Sequence, residues 1–299
     1  MNAAGNPFDT PQIRAEFPFA AAVDVWPGVR RITAPNPGLM TGPGTNTYLV
    51  GSRQVLVIDP ACDAPAHLDA IKRAVGDAIT AVLVTHAHPD HAPGARELAR
   101  DCGVPVYGSG IVLAGVSTPG FAPDRVLADG DTLPTDAGPL RALRTPGHAA
   151  DHICYLLETR RLLFAGDHLM EGTTVVIAPP DGDMAAYLAS LRRLQQEPVE
   201  RIAPGHGRLM EGAQTALQQV IDHRLAREAA IVKALQGGAG RSIPDLVAEL
   251  YAAVPEALHA LAELSVYAHL IKLSGEGRVQ GTDRNGLWHM AQPESARGA

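Results

Sequence analysis

The chain has 299 residues, 46% of them hydrophobic and 19% charged, which excludes a disordered chain and leaves one large domain or two. Its 25 basic and 32 acidic residues give a formal charge of −7, so the overall charge does not point to a nucleic-acid partner. The three cysteines form no CxxC pair, which predicts free thiols in a reducing cytoplasm. The sequence predicts neither a secretory signal nor a membrane helix.

The first two thirds of the chain predict sheets with helices packed outside them. Residues 1–19 are polar and contain prolines, and we expect them to wrap the surface or fray. Residues 47–50 and 54–58 predict a hairpin, and so do residues 152–157 and 161–165. The remaining predicted strands are residues 80–85, 104–107, 140–144 and 199–203, and the predicted helices are residues 64–75, 92–102 and 185–196.

The pattern changes after residue 213. Residues 213–236 form a long helical run that ends in a glycine-rich breaker. Helices over 242–251 and 256–274 follow, and then a hairpin around residues 283–286. This order of helix, helix and wing predicts a small winged-helix module, so we divide the chain into domains at 1–236 and 237–299.

The chemistry is concentrated in residues 85–91, directly after a predicted buried strand. His86 and His88 are two residues apart, so an extended backbone presents both on one side. Asp90 and His91 follow Pro89, where the chain turns toward a helix. Imidazole and carboxylate are the usual ligands of zinc and related divalent ions, so this segment predicts a metal site.

Three further candidate ligands follow in turns at the ends of predicted strands. His148, Asp167 and His206 each have a neighbouring glycine, which lets the backbone come close and aim one side chain inward. Together with the first four residues they make seven ligands. That number is enough for two ions that share one carboxylate.

The HxHxDH run followed by separated His, Asp and His resembles the metallo-β-lactamase superfamily, over roughly residues 34–235. The resemblance implies an αββα sandwich, with two metal ions at one edge of the sheets. It assigns one ion to His86, His88 and His148. It assigns the other ion to Asp90, His91 and His206. Asp167 would bridge the two ions.

The ligand residues also indicate which enzymes of the superfamily this chain resembles. The commonest zinc β-lactamases have cysteine where Asp167 stands and lack the Asp90-His91 pair, so this chain is more similar to glyoxalase II, lactonases and phosphodiesterases. Residues 36–50 and 258–279 resemble the beta-lactamase-like protein 2 group. That group includes a mitochondrial endoribonuclease and fungal thioesterases that release polyketides from carrier proteins. The implied fold is the sandwich followed by a small, mostly helical winged-helix module.

Two divalent ions about 3.5–4 Å apart can share a water and convert it to a bridging hydroxide near neutral pH. The sequence favours Zn²⁺, with Mn²⁺ or Fe as alternatives. We predict that Asp90 is both a ligand and the group that steers the proton of the nucleophile. Asp59, at the end of a predicted strand, is expected to orient one ligand imidazole or to cap a turn. His152 and His168 lie near the site in sequence. His152 is expected to be structural, with a contact to the substrate or to a metal ligand as the alternative, and the same two roles are open for His168.

Charge in the C-terminal module bears on the substrate. Residues 237–299 hold five basic and seven acidic residues, whereas a surface that tracks phosphates should be positive. The sequence therefore favours an acyl substrate (a thioester, ester or lactone, free or carrier-bound) over RNA. We expect no membrane partner. A metal-dependent endoribonuclease or phosphodiesterase is the alternative, and a β-lactamase or a non-catalytic binding module ranks below it. We expect the module to wall one side of the metal cleft as a lid, or to form a contact in a homo-oligomer.

Overall fold

The structure, a computed structural model, describes residues 6–111, 113 and 115–292. Its helices are α1 (Pro11–Glu16), α2 (Pro65–Val75), α3 (Pro93–Cys102), α4 (Met184–Leu194), α5 (Ala213–Leu235), α6 (Ile243–Leu250) and α7 (His259–Gly275). Its first strands are β1 (Val23–Trp26), β2 (Val29–Thr33), β3 (Asn46–Val50), β4 (Val55–Ile58), β5 (Ile79–Leu83), β6 (Val106–Gly108) and β7 (Arg125–Val126). The others are β8 (Thr132–Leu133), β9 (Leu140–Arg144), β10 (Ile153–Leu157), β11 (Leu162–Gly166), β12 (Arg201–Pro204), β13 (Met210–Glu211), β14 (Val279–Gln280) and β15 (His289–Met290).

Two sheets pack face to face and are covered by helices on both outer sides. One sheet has the order β1 to β7, and the other has the order β13-β12-β11-β10-β9-β8. Buried residues of both sheets, such as Tyr48 and Phe164, form the central layer. Helices α2 and α3 cover the first sheet, and α4 and α5 cover the second. This arrangement confirms the αββα sandwich that the resemblance implied.

The N-terminal region contains more structure than the sequence predicted. Thr10 caps α1, and strands β1 and β2 extend the first sheet. Phe17 is buried, and the guanidinium carbon of Arg31 lies 4.2 Å from the centre of its ring. The part of the segment from residue 6 onward is therefore packed rather than frayed, and residues 1–5 lie outside the described residues. None of the described helices is long and apolar enough to cross a membrane.

The functional site lies at one edge of the sandwich because several strands end there. β5 runs parallel to β4 in the first sheet, and β12 runs parallel to β11 in the second, so the carboxyl ends of each pair lie at one edge of their sheet. Asp59, His86, Asp167 and His206 follow the ends of β4, β5, β11 and β12 within three residues. The loop between β9 and β10 brings His148 to the same edge.

The C-terminal module has the predicted order of helix, helix and wing. Ser242 and Asp245 form a capping box at the start of α6, and β14 pairs with β15 in an antiparallel hairpin. The module's hydrophobic cluster also includes Ile231 and Leu235 from the end of α5. The last turns of α5 therefore pack as part of the module, and the division at 236/237 stays a prediction.

Glu228 on α5 joins this helix to the module. Its side chain is 6% exposed and lies 2.7 Å from Lys272 Nζ and 2.8 Å from Arg278 Nη1. We expect Glu228→Gln to lower the free energy of unfolding by about 1.5–3 kcal/mol, because two charge-assisted contacts of a buried carboxylate are lost. Urea unfolding measures this change. The matched control is Glu276→Gln, which removes an exposed carboxylate 2.6 Å from the same Lys272. Equal free energies for both variants would contradict the expectation.

Candidate metal centre

Three histidines form the first of two clusters of possible metal ligands. His86 and His88 follow β5, and His148 lies in the loop between β9 and β10. Their nearest ring nitrogens lie within 4.8 Å of one another, and Nδ1 of His88 is 3.2 Å from Nε2 of His148. Three imidazoles converging on one point match the ligand chemistry of a divalent metal ion.

Two carboxylates and two histidines form the second cluster. Nε2 of His91 and Nε2 of His206 each lie 3.3 Å from Oδ1 of Asp167. Oδ2 of Asp90 lies 3.3 Å from Nε2 of the same His206. All four ligand atoms are within 4.8 Å of one another.

Asp167 stands between the two clusters. Its Oδ1 faces His91 and His206, while its Oδ2 is 3.8 Å from Nε2 of His148. One carboxylate can therefore face two ions at once, in the position that the sequence predicted for a bridge. The structure brings all seven predicted residues together, and their coordination of metal stays a prediction.

The outer nitrogen of each ligand imidazole has a partner in the protein. The pairs are His86 Nδ1 with Thr85 Oγ1 at 3.0 Å, His88 Nε2 with Asp181 Oδ2 at 2.9 Å, His91 Nδ1 with Asp59 Oδ2 at 2.9 Å, His148 Nδ1 with the Val176 carbonyl at 2.8 Å, and His206 Nδ1 with the Gly44 carbonyl at 3.4 Å. Such partners fix the ring orientation and leave the other nitrogen to the metal. The inward Nε2 atoms of His86, His91 and His206 and Oδ1 of Asp167 are buried and make no hydrogen bond to any described residue. These orphaned atoms fit a pair of metal ions.

The charges in the second cluster attract cations. Burial lowers the pKa of His206, but the close contacts with the Asp167 and Asp90 carboxylates together outweigh burial and raise it to about 9. The same balance, with Asp167 and Asp90 as the negative charges, holds the pKa of His91 well above its usual value. In the first cluster, burial and the neighbouring imidazoles hold the pKa of His86 well below its usual value, so this ring is neutral and ready to bind a metal. Metal binding at the second cluster should therefore release protons.

Close packing explains the glycines beside the ligands. A Cβ at position 205 would lie 2.6 Å from Oδ1 of Asp167 and 2.8 Å from Cε1 of His91. Gly166 has φ +47°, and a Cβ there would lie 2.6 Å from Oγ1 of Thr85. Only glycine lets these two strand ends approach the ligands so closely.

The sequence did not mark Asp181 as part of the site, whereas it did mark His152 and His168 as neighbours of the site. Asp181 supports His88 and also accepts a hydrogen bond from the amide of Ala150, but it follows two prolines in a loop and no motif marks it. His152 and His168 are buried, lie outside both ligand clusters and pack behind them, as expected for structural residues.

Asp59 is a positioning residue whose role can be tested. It is 2% exposed, and it accepts hydrogen bonds from the amide and hydroxyl of Thr85 and faces Nδ1 of His91. We expect Asp59→Ala to lower zinc affinity by about 10–100-fold, because His91 loses its orientation. Competition with a chromogenic chelator measures this change. Asp63→Ala, an exposed carboxylate in the following loop, is the control, and equal affinities in the two variants would contradict the role.

A cleft of about 770 Å³ opens over both clusters. His88, Asp90, His148 and Asp167 form part of its lining. Apolar side chains form much of the rest, including Met40, Val116, Val176, Leu261 and Leu264. The last two belong to α7, so the module walls one side of the cleft, as the lid interpretation expected.

Comparison with known proteins agrees with this geometry. Residues 40–206 match the Metallo-beta-lactamase superfamily, and residues 242–288 match the Beta-lactamase associated winged helix domain. The chain is 34% identical to the atrochrysone carboxyl ACP thioesterase of Aspergillus chevalieri, over 85% of this chain and 83% of that protein. It is 31% identical to the Beta-lactamase-like protein 2 homolog of Drosophila melanogaster, over 90% of this chain and 95% of that protein.

A solved structure shares the fold over nearly the whole chain. The crystal structure of a beta-lactamase domain protein from Burkholderia ambifaria superposes with a TM-score of 0.75 at 22% identity, covering 97% of this chain and 99% of that one. The match extends from the sandwich through the C-terminal module. The chain therefore belongs to the metallo-beta-lactamase superfamily and is a hydrolase of that fold with its associated winged helix domain.

Proposed function

We propose that this chain is a dinuclear metal hydrolase that cleaves acyl thioesters. The observation that carries the proposal is the position of the seven converging ligands, which open into one largely apolar cleft. A hydrolytic centre beside an apolar wall suits a substrate with a reactive carbonyl and a hydrocarbon body.

Each of the two clusters would bind one metal ion. His86, His88 and His148 would hold one ion, and Asp90, His91 and His206 would hold the other, with Asp167 shared. Imidazole and carboxylate ligands suit Zn²⁺, and they also accept Mn²⁺ or Fe. Two bound divalent ions supply electrophilic activation of the carbonyl and a lowered pKa for water.

The chain's own side chains orient and move protons. Of the two ligand carboxylates, Asp90 is the more accessible from the cleft, because its side chain is 27% exposed and that of Asp167 is 9% exposed. It can accept the proton of the attacking water and pass it toward the leaving thiol. His88 and His148 also line the cleft, so a carbonyl bound there would lie beside both ligand clusters.

Two further observations support an acyl substrate. Leu261 and Leu264 from the module face the cleft, and an apolar wall does not attract the phosphates of RNA. The Aspergillus chevalieri relative is named a thioesterase that acts on an acyl carrier protein. We extend that substrate class, carrier-bound or free acyl thioesters, to this chain.

A side-by-side assay tests the proposal. The zinc-loaded protein is given an acyl thioester of N-acetylcysteamine and a labelled single-stranded RNA, and Asp90→Ala serves as the blank. We expect thioester cleavage that the blank lacks, with intact RNA. RNA cleavage that the blank lacks, together with an inert thioester, would overturn the proposal in favour of a nuclease.

A further inference from the structure

A second cavity, of about 370 Å³, lies between α5 and the C-terminal module. Its apolar wall is formed by residues such as Tyr251, Val254 and Leu258. Arg224 and Arg227, one turn apart on α5, also line it. The proposed hydrolysis assigns no role to this cavity.

The two cavities share a border. Met40, Val176 and Leu261 line both the metal cleft and the second cavity. The side chain of Met40 is exposed, while Val176 and Leu261 are half-buried. A flexible methionine and two aliphatic side chains make an apolar passage that suits a hydrocarbon chain. A substrate whose carbonyl lies at the metals can thus extend its acyl chain toward α5.

The two arginines give the second cavity a positive charge. Arg224 is 3% exposed, and its Nη2 donates to the carbonyl of Val175. Its buried Nε makes no hydrogen bond within the part of the chain that the structure describes. Arg227 donates to the carbonyl of Leu250 at 2.6 Å, and its guanidinium carbon lies 3.9 Å from the centre of the Tyr251 ring.

Within the described part of the chain, neither arginine forms an ion pair with a carboxylate. The neighbouring Glu228 is engaged by Lys272 and Arg278 instead. A buried guanidinium without a counter-charge is costly, and a carboxylate or phosphate bound beside it would supply that counter-charge. The cavity therefore combines an apolar entrance with an unneutralised cationic end.

We propose that the second cavity binds the far end of the acyl chain, and that Arg224 and Arg227 select chains that end in a carboxylate. This inference rests on the proposed thioester hydrolysis and adds a substrate class to it: long acyl thioesters with an ω-carboxyl group. Each arginine is then a specificity residue, not a catalytic one.

Binding of two matched probes tests the selection without turnover. The probes are the N-acetylethylenediamine amides of dodecanoic acid and of dodecanedioic acid. They are analogues of the N-acetylcysteamine thioesters in which a nitrogen replaces the sulfur, and they contain no phosphate. Calorimetry with the zinc-loaded protein should show at least about tenfold tighter binding of the ω-carboxyl probe, the size of a charge-assisted hydrogen bond in a buried site. Equal or weaker binding of that probe by the wild-type protein would overturn the proposal.

Arginine variants separate the cavity from the metals, which could also bind a carboxylate. Arg227→Gln and Arg224→Met should each lose most of the preference, while the dodecanoyl probe keeps its affinity within about twofold. Arg192→Gln, an exposed arginine on α4, is the control and should keep the preference. A preference that survives in a folded Arg227→Gln protein would place the carboxylate elsewhere and overturn the proposal. If Arg224→Met fails to fold, the Arg227→Gln variant alone decides between the cavity and the metals.

Two further arms identify which claim fails. Metal-dependent hydrolysis of the plain dodecanoyl thioester tests the catalytic proposal by itself, whatever the chain end. A coenzyme A analogue that carries the same dodecanoyl amide tests whether the cavity binds a phosphate instead of a carboxylate. The protein could prefer the coenzyme A probe, lose that preference in Arg227→Gln and show no preference for the ω-carboxyl group. That result would assign the cavity to the phosphate-bearing arm of the carrier and overturn the acyl-end proposal.

Discussion

Replacing Asp90 by alanine is expected to lower kcat/KM for thioester hydrolysis by about 10³-fold while the fold is kept. Oδ2 of Asp90 lies 3.3 Å from Nε2 of His206, and the side chain lines the metal cleft. Its loss removes a ligand and the group that takes up the proton of the attacking water. Because the side chain is partly exposed and belongs to a loop, its removal opens no gap in the hydrophobic core.

Steady-state hydrolysis and circular dichroism together check this expectation. Asp24→Ala, an exposed carboxylate on β1, should hydrolyse at the wild-type rate. A folded, metal-loaded Asp90→Ala protein with nearly the wild-type rate would show that the proton-steering role is wrong.

Replacing Asp167 by alanine is expected to have the second large effect, because this residue serves both clusters. Oδ1 faces His91 and His206, and Oδ2 faces His148. Without it, two cations would lie close together with no shared negative charge between them, and their repulsion would weaken the binding of both. We expect the variant to lose one of the two ions on dialysis and at least about 10³-fold in hydrolysis.

Elemental analysis after equilibrium dialysis measures the retained metal. Asp183→Asn is a useful control, since this carboxylate caps α4 and lies outside both clusters. Retention of both ions by Asp167→Ala, at wild-type affinity, would contradict the bridging role.

The candidate metal ligands were easier to predict from the sequence than the residues that hydrogen-bond to them. Four of the seven ligands lie within six residues, and the other three occupy glycine-flanked turns, so local patterns marked all of them. Asp181 supports His88 across 93 residues of sequence, and Val176 supports His148 through a backbone carbonyl. A carbonyl carries no sequence signal, and a long-range partner is defined only by the folded chain.

The sequence analysis missed elements that form where tertiary contacts override local patterns. Strand β2 carries Arg30 and Arg31, which break the usual alternation of apolar and polar residues. Arg31 is nevertheless buried, because it stacks on Phe17 and donates to the carbonyl of Glu16. That contact also holds the end of α1, which explains why both elements were missed together.

The charge of the C-terminal module argued against RNA but did not indicate the cationic residues of the second cavity. Its acidic balance argued against RNA, and its helix α7 does wall the metal cleft. Arg224 and Arg227, which line the second cavity, lie on α5, outside the segment whose charge was counted. Only the packing of α5 against the module brings them to an apolar cavity.

Zinc titration of the metal-free protein, with bound metal and thioester hydrolysis followed together, tests the dinuclear centre most directly. We predict that hydrolysis rises with added zinc and levels off at two ions per chain, and that protons are released as the second cluster fills. Full hydrolysis in the thoroughly chelated protein, or a second ion that binds without changing the rate, would contradict a two-metal mechanism at these seven residues.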